Sequence, residues 1–495
     1  MQRALRTLAP ARRLLCSSSN TVSIDVSKLP HMKAQPHAPH VEHAPGTLLK
    51  TLATSMRVRG PMTIKEFMTS ALTHPVHGYY MQQGEVFGRG GDFVTSPEVS
   101  QVFGELLGVW CVASWERLGR PSKLRLIEMG PGRGTLMADV LRSTAIFDGF
   151  HSALSVHMVE VSSHLQGVQK ETLRGAAAEE VAIDWHDSLE RVPSDKDVPE
   201  LTLAHEFLDA LPVHQLVRTP RGWRERMVDL SEHVPETNVV EAIEPSVRDL
   251  NKDERSLDFV LSANPTPASL LFGERLGERT GSERSGAAAA IADDADDNAS
   301  VLGCLEVCPG ALSFTQQLCR RIVKSRGAAL FIDYGTDGVP NDTLRGILNH
   351  QAVHPLHQPG AVDLSVDVDF GAIRDVARDE GKGLLRCPPL ANQRDFLAAM
   401  GLEARVNTLL KQTTDREMRR NLIQSAGRLV ASPGMGTAYK VFAIAHGDVG
   451  MEGVAGFGKA PLLEATSPAV EAEADDDGPD PAAGRTIRKV RVPSK

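Results

Sequence analysis

The chain has 495 residues, of which 41% are hydrophobic and 24% are charged, and its formal net charge is −9. This composition excludes collagen-like and wholly disordered proteins, and the length allows about three domains or one large domain with insertions and tails. The negative charge predicts no general attraction to nucleic acid, and no apolar run reaches the roughly 18 residues that a membrane span needs.

The first 24 residues have the composition of a mitochondrial transit peptide. They contain arginines, leucines and three consecutive serines at 17–19, but no acidic residue. Arg12 and Arg13 interrupt the apolar stretch that a secretory signal requires. We therefore expect mitochondrial import, with a basic disordered tail as the alternative. Residues 25–46 are rich in proline and histidine, which predicts a linker.

Folded sequence is predicted over residues 47–272 and 301–447. We expect an N-terminal helical, substrate-side region at 47–120 and a main domain at 121–447. A low-complexity insertion at 273–300 and a disordered tail at 448–495 complete the chain. Aspartates in the insertion do not have the spacing of an EF-hand calcium loop. The six cysteines are scattered without a C-x-x-C pair, so neither a disulfide scaffold nor a metal site is predicted.

The first predicted helix begins near Thr63, whose hydroxyl can cap it. Its apolar face contains Phe67, Met68 and Leu72, and Pro75 ends it.

Six apolar segments predict the strands of one sheet, at 123–129, 156–161, 181–183, 201–204, 328–335 and 439–445. Strands that alternate with helical stretches predict an α/β fold with a doubly wound, mostly parallel sheet. Ligands of such sheets bind at the carboxyl ends of the strands, near the switch point in strand order.

A glycine-rich turn, Glu128-Met129-Gly130-Pro131-Gly132-Arg133-Gly134, follows the first predicted strand. A dinucleotide site requires G-x-G-x-x-G, whereas Thr135 stands here in place of the third glycine. Glu128 would also repel a phosphate but would attract a cation. The turn therefore favours a cationic ligand over a dinucleotide.

Acidic residues end three successive predicted strands, at Glu128, Glu160 and Asp187. S-adenosyl-L-methionine carries a sulfonium and an amino group, which suit Glu128. Glu160 can accept the ribose hydroxyls, and Asp187 the adenine amino group. The alternative is a tight turn with ordinary surface acids. We predict an S-adenosyl-L-methionine site formed by Glu128, Gly130, Pro131, Gly132, Gly134, Glu160 and Asp187.

E-x-G-x-G-x-G after a strand resembles motif I of class I S-adenosylmethionine-dependent methyltransferases. Further stretches narrow this resemblance to the MidA-like family, at 74–80, 91–100, 103–107, 206–215, 333–335, 363–370 and 435–436. In this order they span most of residues 61–446. The resemblance implies a Rossmann-like class I methyltransferase fold with an N-terminal helical extension and inserted substrate-side elements.

The resemblance also implies a substrate, because the family includes a mitochondrial arginine methyltransferase that assists complex I assembly. The expected enzyme works in the mitochondrial matrix. It would convert an arginine of a peripheral-arm core subunit of complex I to symmetric dimethylarginine. The alternatives are a methyltransferase of the same fold with another acceptor and a client-binding assembly chaperone without catalysis.

Glu206 and Asp209 are the predicted catalytic pair, because they follow the fourth strand, where class I enzymes place the acceptor. Paired carboxylates can orient a guanidinium and help to remove its proton. The two residues share a face if their segment is helical, and a structural pair is the alternative.

Several further residues are weaker candidates for the acceptor site. Tyr79 and Tyr80 could stack on a guanidinium, and His205 stands where the family usually has asparagine. The acidic candidates are Asp92, Glu98, Asp363, Asp367 and Asp369.

Overall fold

The computed structural model describes residues 47–81, 95–176, 181–231, 257–280, 304–449 and 453–457. The predicted transit peptide and linker lie outside these residues. The strands, numbered in chain order, are β1 (Met62–Thr63), β2 (Leu124–Met129), β3 (Leu154–Val159), β4 (Ala182–His186), β5 (Glu200–His205), β6 (His214–Thr219), β7 (Gly222–Leu230), β8 (Leu257–Leu261), β9 (Cys304–Val307), β10 (Ala328–Thr336), β11 (Arg345–Leu348), β12 (Gln351–Val353), β13 (Asp363–Ser365), β14 (Val368–Asp369), β15 (Leu385–Arg386), β16 (Ala391–Asn392) and β17 (Tyr439–His446).

The α-helices are numbered in the same way. They are α1 (Thr47–Arg59), α2 (Ile64–Thr73), α3 (Ser96–Val99), α4 (Gln101–Arg117), α5 (Thr135–Thr144), α6 (Asp148–His151), α7 (Ser163–Leu173), α8 (Pro267–Thr280), α9 (Pro309–Ser325), α10 (Phe370–Gly381), α11 (Gln393–Ala399), α12 (Leu402–Gln412), α13 (Arg416–Val430) and α14 (Met435–Ala438).

Helix α2 begins where the sequence predicts. The Thr63 hydroxyl accepts a hydrogen bond from the Glu66 backbone N–H, and the Glu66 carboxylate accepts one from the Thr63 N–H. This capping box satisfies two N–H groups that the first helical turn leaves without partners. Phe67, Met68 and Leu72 are buried on the predicted apolar face.

The main sheet contains all six predicted strands. Its order is β15-β17-β10-β5-β2-β3-β4, with β14 added to β10 and β16 added to β17. The run from β10 to β4 is parallel, whereas β17 pairs antiparallel with β10. The α/β prediction is therefore confirmed, with an antiparallel strand at one side.

Each face of this sheet is covered by helices, because alternate side chains of a strand point to opposite faces. In β10, Leu330 packs into a core with α4 and α5, and Phe331 packs into a core with α9 and α10. Helix α4 therefore packs on the main sheet, although its residues fall within the predicted N-terminal region. Strands buried on both faces explain the apolar runs that the sequence shows.

The sequence analysis did not predict a second, antiparallel sheet. It has the order β1-β7-β6-β9, with β8 added to β7, and a three-stranded sheet has the order β12-β11-β13. Phe67 of α2, Val228 of β7 and Leu364 of β13 share one core. Strands β6 to β9 follow β5 in the chain and β11 to β13 follow β10, so both sets are inserted between strands of the main sheet, whereas β1 and α2 precede that sheet.

Two predicted boundaries differ from the structure. Helix α8 continues to Thr280, eight residues into the predicted low-complexity insertion, because Gly273, Leu276 and Gly277 are buried. Val449 and Val454 in the predicted tail are also buried, and Phe457 packs on Phe396.

No helix in these residues is long and apolar enough to cross a membrane. The cysteines in this part of the chain are free thiols, and the same residues contain no cluster suited to a metal ion.

Candidate active site

The glycine turn and the Glu206 segment meet at the carboxyl ends of β2 and β5. These strands are neighbours at the point where strand order reverses, since β2 pairs with β3 on one side and with β5 on the other. A Cβ atom added to Gly130 would lie 3.0 Å from the Phe207 ring. The two segments predicted to hold methyl donor and acceptor are therefore in contact.

Three glycines give this turn its shape. Gly130, Gly132 and Gly134 have φ angles of 57°, 53° and 82°, in the left-handed region that residues with a Cβ atom rarely adopt. Gly134 is the N-cap residue of α5. The backbone can thus approach a ligand closely without side chains in between.

Glu128 lies inside β2 with a fully buried carboxyl group. Its Oε2 atom has no hydrogen-bond partner among the described residues, and burial raises its pKa to about 8. A buried acceptor without a partner is destabilising unless a donor or cation reaches it. Glu128 therefore fits the positive end of an S-adenosyl-L-methionine molecule.

Glu160 follows β3, at the predicted position. One carboxylate oxygen accepts the Ser162 backbone N–H at 2.8 Å, and the other accepts the Gln169 amide at 3.3 Å. Burial raises its pKa to about 7, although these hydrogen bonds lower it. The carboxylate is held in one orientation, as a ribose-binding acid requires.

Gln169 is a site residue that the sequence analysis missed. Its side-chain amide donates to the Gly132 carbonyl at 2.8 Å as well as to Glu160, and its oxygen accepts the Trp185 indole N–H at 2.9 Å. The signal was a polar residue within the buried stripe Leu165, Gln169 and Leu173 of α7. One side chain thus joins the glycine turn, the second acid and β4.

Asp187 follows β4 at the third strand end, but it does not share this burial. Its side chain is 67% exposed, and its carboxylate lies 3.8 Å from the Arg191 guanidinium. Pro131 is buried within the glycine turn.

Glu206 stands at the end of β5 in a left-handed backbone conformation, with a φ of 49°. The Tyr439 hydroxyl and the Ser96 backbone N–H donate to its carboxylate, whereas its Oε1 atom is buried without a hydrogen-bond partner in the described chain. Burial and the nearby charge of Asp209 raise its pKa to about 8. Glu206 therefore presents an unsatisfied acceptor at this strand end.

Asp209 is buried close to Glu206, but the segment that joins them is not the helix that would place both residues on one face. Residues 206–213 form turns, and the Asp333 carboxylate fixes them by accepting the N–H groups of Phe207, Leu208 and Asp209. Burial raises the pKa of Asp209 to about 6. The pair is brought together by β10 rather than by helical spacing.

All four tyrosines of the chain belong to this site. Tyr334 donates to the Tyr439 hydroxyl at 2.8 Å, and Tyr80 donates to Asp363 at 3.0 Å. The Tyr79 and Tyr80 rings make an edge contact, with centroids 5.2 Å apart. Sequence reasoning considered only Tyr79 and Tyr80, because the other two lie far away in the chain.

The weaker acidic candidates have different surroundings. Asp367 pairs with Arg345 at 2.6 Å beside the tyrosines. Asp369 instead pairs with Arg279 at 2.6 Å and caps α10, which is a structural role. Glu98 lies in α3, and Asp92 lies outside the described residues.

His205 is buried immediately before Glu206. Its Nε2 atom lies 3.2 Å from Glu206 Oε1, and burial lowers its pKa to about 3, so the imidazole is neutral. The ring lies parallel to that of Tyr439 and packs against Phe103. The residue that departs from the family pattern thus touches the predicted catalytic acid.

Comparisons with known proteins agree with this geometry. A family model described as S-adenosyl-L-methionine-dependent methyltransferase matches residues 106–386, more than half of the chain. A superfamily member from Burkholderia thailandensis, whose crystal structure holds S-adenosyl-homocysteine, is 25% identical. Its TM-score is 0.61, over 82% of this chain and 95% of that one. The predicted family, fold and cofactor are thereby confirmed.

Curated relatives extend over most of the chain. The zebrafish protein named protein arginine methyltransferase NDUFAF7, mitochondrial, is 37% identical, over 80% of this chain and 86% of its own length. The human protein of that name is 35% identical, over 80% and 83%. The Drosophila melanogaster homologue is 35% identical, over 85% and 90%.

Proposed function

The chain belongs to the family of S-adenosyl-L-methionine-dependent methyltransferases whose model matches its residues 106–386, and from this premise we propose that it methylates protein arginine. The relatives named protein arginine methyltransferase support this acceptor. The observation that carries the proposal is the buried Glu206 carboxylate, with an oxygen that lacks a hydrogen-bond partner among the described residues, beside Asp209 and the glycine turn. We expect such a site to favour a cation with several N–H donors.

The residues of the glycine turn would hold the methyl donor. Glu128 would face the positively charged end of the donor, and Glu160 would face its ribose. When bound, S-adenosyl-L-methionine supplies an electrophilic methyl group. Asp187 is exposed at the third strand end, where it would accept from the adenine amino group. Gln169 would hold the turn and Glu160 in fixed positions relative to each other through its two hydrogen bonds.

The acceptor side would orient a guanidinium and remove one proton. A protonated guanidinium is a poor nucleophile, because its pKa is above about 12. Glu206 Oε1 would accept a hydrogen bond from the reacting nitrogen, and Asp209 would attract the remaining charge. As the nitrogen–methyl bond forms and the sulfur–methyl bond breaks, that proton would pass to Glu206, whose raised pKa suits a base near neutral pH.

The product and the protein substrate are finer proposals. We propose symmetric dimethylarginine in a peripheral-arm core subunit of complex I, formed in the mitochondrial matrix. The MidA-like resemblance implies this product, subunit and compartment. The relatives named mitochondrial support the mitochondrion.

Glu206→Gln in the full chain tests this function. The amide keeps the shape of the side chain but cannot take the proton, so we expect methyl transfer to fall at least about 100-fold while cofactor affinity stays unchanged. The assay measures labelled methyl on the recombinant complex I subunit, followed by mass spectrometry, and calorimetry measures cofactor binding. Exposed Glu171→Gln is the matched control.

Two results would contradict the proposal. Full activity in Glu206→Gln would remove the acid from the mechanism. Cofactor binding by the wild type without transfer to any arginine would instead favour a client-binding chaperone or a different acceptor.

A further inference from the structure

The chain itself places a guanidinium, that of Arg345, beside the proposed acceptor acids. Arg345 begins β11, and its Nη1 atom is 2.6 Å from Asp367 Oδ1. Its guanidinium carbon lies 4.8 Å from the centroid of the Tyr334 ring. Nη2 is buried without a hydrogen-bond partner in the described residues, so stacking and charge attraction hold this end of the side chain.

The segment that carries Arg345 is fixed by partly buried hydrogen bonds. The Glu306 carboxylate accepts the backbone N–H groups of Thr343 and Leu344, at 2.9 and 3.1 Å. The Thr343 hydroxyl in turn accepts the Asp367 N–H at 2.8 Å. Both Arg345 and its partner Asp367 therefore have restricted positions, which distinguishes this pair from a mobile surface ion pair.

Arg345 reaches Glu206 through the tyrosines. Its guanidinium covers the Tyr334 ring, Tyr334 donates to the Tyr439 hydroxyl, and Tyr439 donates to the Glu206 carboxylate. Loss of the stacking cation would remove one contact of the Tyr334 ring, which also packs on the Tyr439 ring with centroids 4.2 Å apart. The hydrogen bond that orients Glu206 would then lose its support.

The charge of Arg345 also lowers the pKa of Asp209, which favours the ionised carboxylate. Among the described residues, acids and phenols also interact with Asp209, namely Asp367, Asp333, Glu206, Tyr80 and Tyr334. The acids among these groups disfavour a negative charge on Asp209 when they are ionised, and the phenols are neutral, whereas Arg345 favours that charge. A cationic acceptor needs that charge in place before it binds.

We infer that Arg345 is a positioning residue of the acceptor site, which maintains the charge of Asp209 and the Tyr334–Tyr439–Glu206 hydrogen bonds for an incoming arginine. The inference rests on the proposed function, because it assigns the role with respect to an arginine substrate. Arg345 itself does not contact the reacting atoms.

The test compares Arg345→Met with Arg345→Lys in the full chain. Met removes the charge and retains apolar bulk, whereas Lys keeps the charge without the planar stack. In Arg345→Met we expect the KM for an arginine peptide to rise about tenfold and the affinity for S-adenosyl-homocysteine to stay unchanged. In Arg345→Lys we expect the KM to stay near the wild-type value and kcat to fall several-fold.

A second readout does not depend on activity. Carboxyl NMR of aspartate-labelled protein follows the titration of Asp209, whose resonance is identified by its loss in Asp209→Asn. We expect the titration midpoint to rise by at least one pH unit in Arg345→Met and to stay near the wild-type value in Arg345→Lys. Arg345→Gln replaces Met if the Met variant does not fold.

Unchanged titration in the folded Met or Gln variant would overturn the inference and leave Arg345 a structural residue. If the midpoint moves but the wild type methylates no arginine, the charge-holding role stands and the proposed function fails. The two failures are therefore distinguishable.

Discussion

Glu206 has a backbone conformation that costs a residue with a Cβ atom roughly 1–3 kcal/mol. The structure opposes this strain with hydrogen bonds on both sides. The Glu206 N–H donates to the Ile332 carbonyl at 3.0 Å, and Asp333 holds the following residues. Strain held in this way commonly occurs where a side chain must be aimed, which agrees with the role proposed for Glu206.

His205→Asn is the residue-scale prediction that follows from this environment. An asparagine amide can donate to Glu206 Oε1, whereas the neutral imidazole does not stabilise the carboxylate. We therefore expect a lower pKa for Glu206, and the pH at which methyl transfer is half-maximal should fall by about one unit. Activity measured between about pH 5.5 and 9 reports this midpoint.

His205→Leu is the control for that change, because leucine fills the space but donates no hydrogen bond. Its midpoint should not move downward. An equal downward shift in both variants would show that packing, rather than a hydrogen bond, sets the pKa of Glu206.

At the scale of elements, helix α7 and the glycine turn form one unit through Gln169. The turn has few interactions of its own, because glycines contribute no side chains. Gln169 therefore supplies the contact that couples the loop after β2 to the acid after β3. The proposed cofactor site would therefore depend on a helix that contributes no predicted ligand.

Gln169→Leu should uncouple these elements. Leucine has a similar volume but leaves the Gly132 carbonyl, one Glu160 oxygen and the Trp185 N–H without a partner. We expect cofactor affinity to fall about tenfold or more, since each lost buried hydrogen bond costs roughly 1–3 kcal/mol. Calorimetry with S-adenosyl-homocysteine measures the change, and exposed Glu171→Leu on the same helix is the control. Wild-type affinity in Gln169→Leu would contradict this coupling.

At the scale of the whole molecule, the site concentrates buried acids whose pKa values are raised. Glu128 and Glu206 have values of about 8, Glu160 about 7 and Asp209 about 6. A folded-state pKa above the unfolded value contributes stability that is present at low pH and is lost as pH rises through the folded pKa. Without a bound cation, these acids therefore lower the free energy of unfolding as the pH rises from about 4.5 to 8.

This linkage predicts how ligand-free stability depends on pH. We expect the Tm of the full chain to fall by at least about 3 °C between pH 6 and 8.5, because the buried acids ionise in the folded state. Calorimetric melting measures the effect, and Glu128→Gln should reduce it. A Tm that rises over this range, with the same slope in Glu128→Gln, would contradict the assignment.

The sequence by itself determined the features that local patterns encode. Apolar runs predicted the six strands of the main sheet, and Thr63 predicted the start of α2. The glycine turn and its acids predicted the ligand class, because glycine spacing and an acid at a strand end depend only on neighbouring residues. The second sheet escaped prediction, since its strands are half-buried and mix polar with apolar residues.

Tertiary structure decided which distant residues complete the site. Arg345, Tyr334 and Tyr439 lie more than 100 residues from Glu206 in the chain, yet they form one set of contacts around it. Gln169 similarly faces the glycine turn only because α7 packs beside α5. No periodicity links such positions, because their approach depends on strand order and on helices packing across the sheet. The sequence therefore predicted which ligand the strand ends attract, and the fold decided which side chains hold those ends in place.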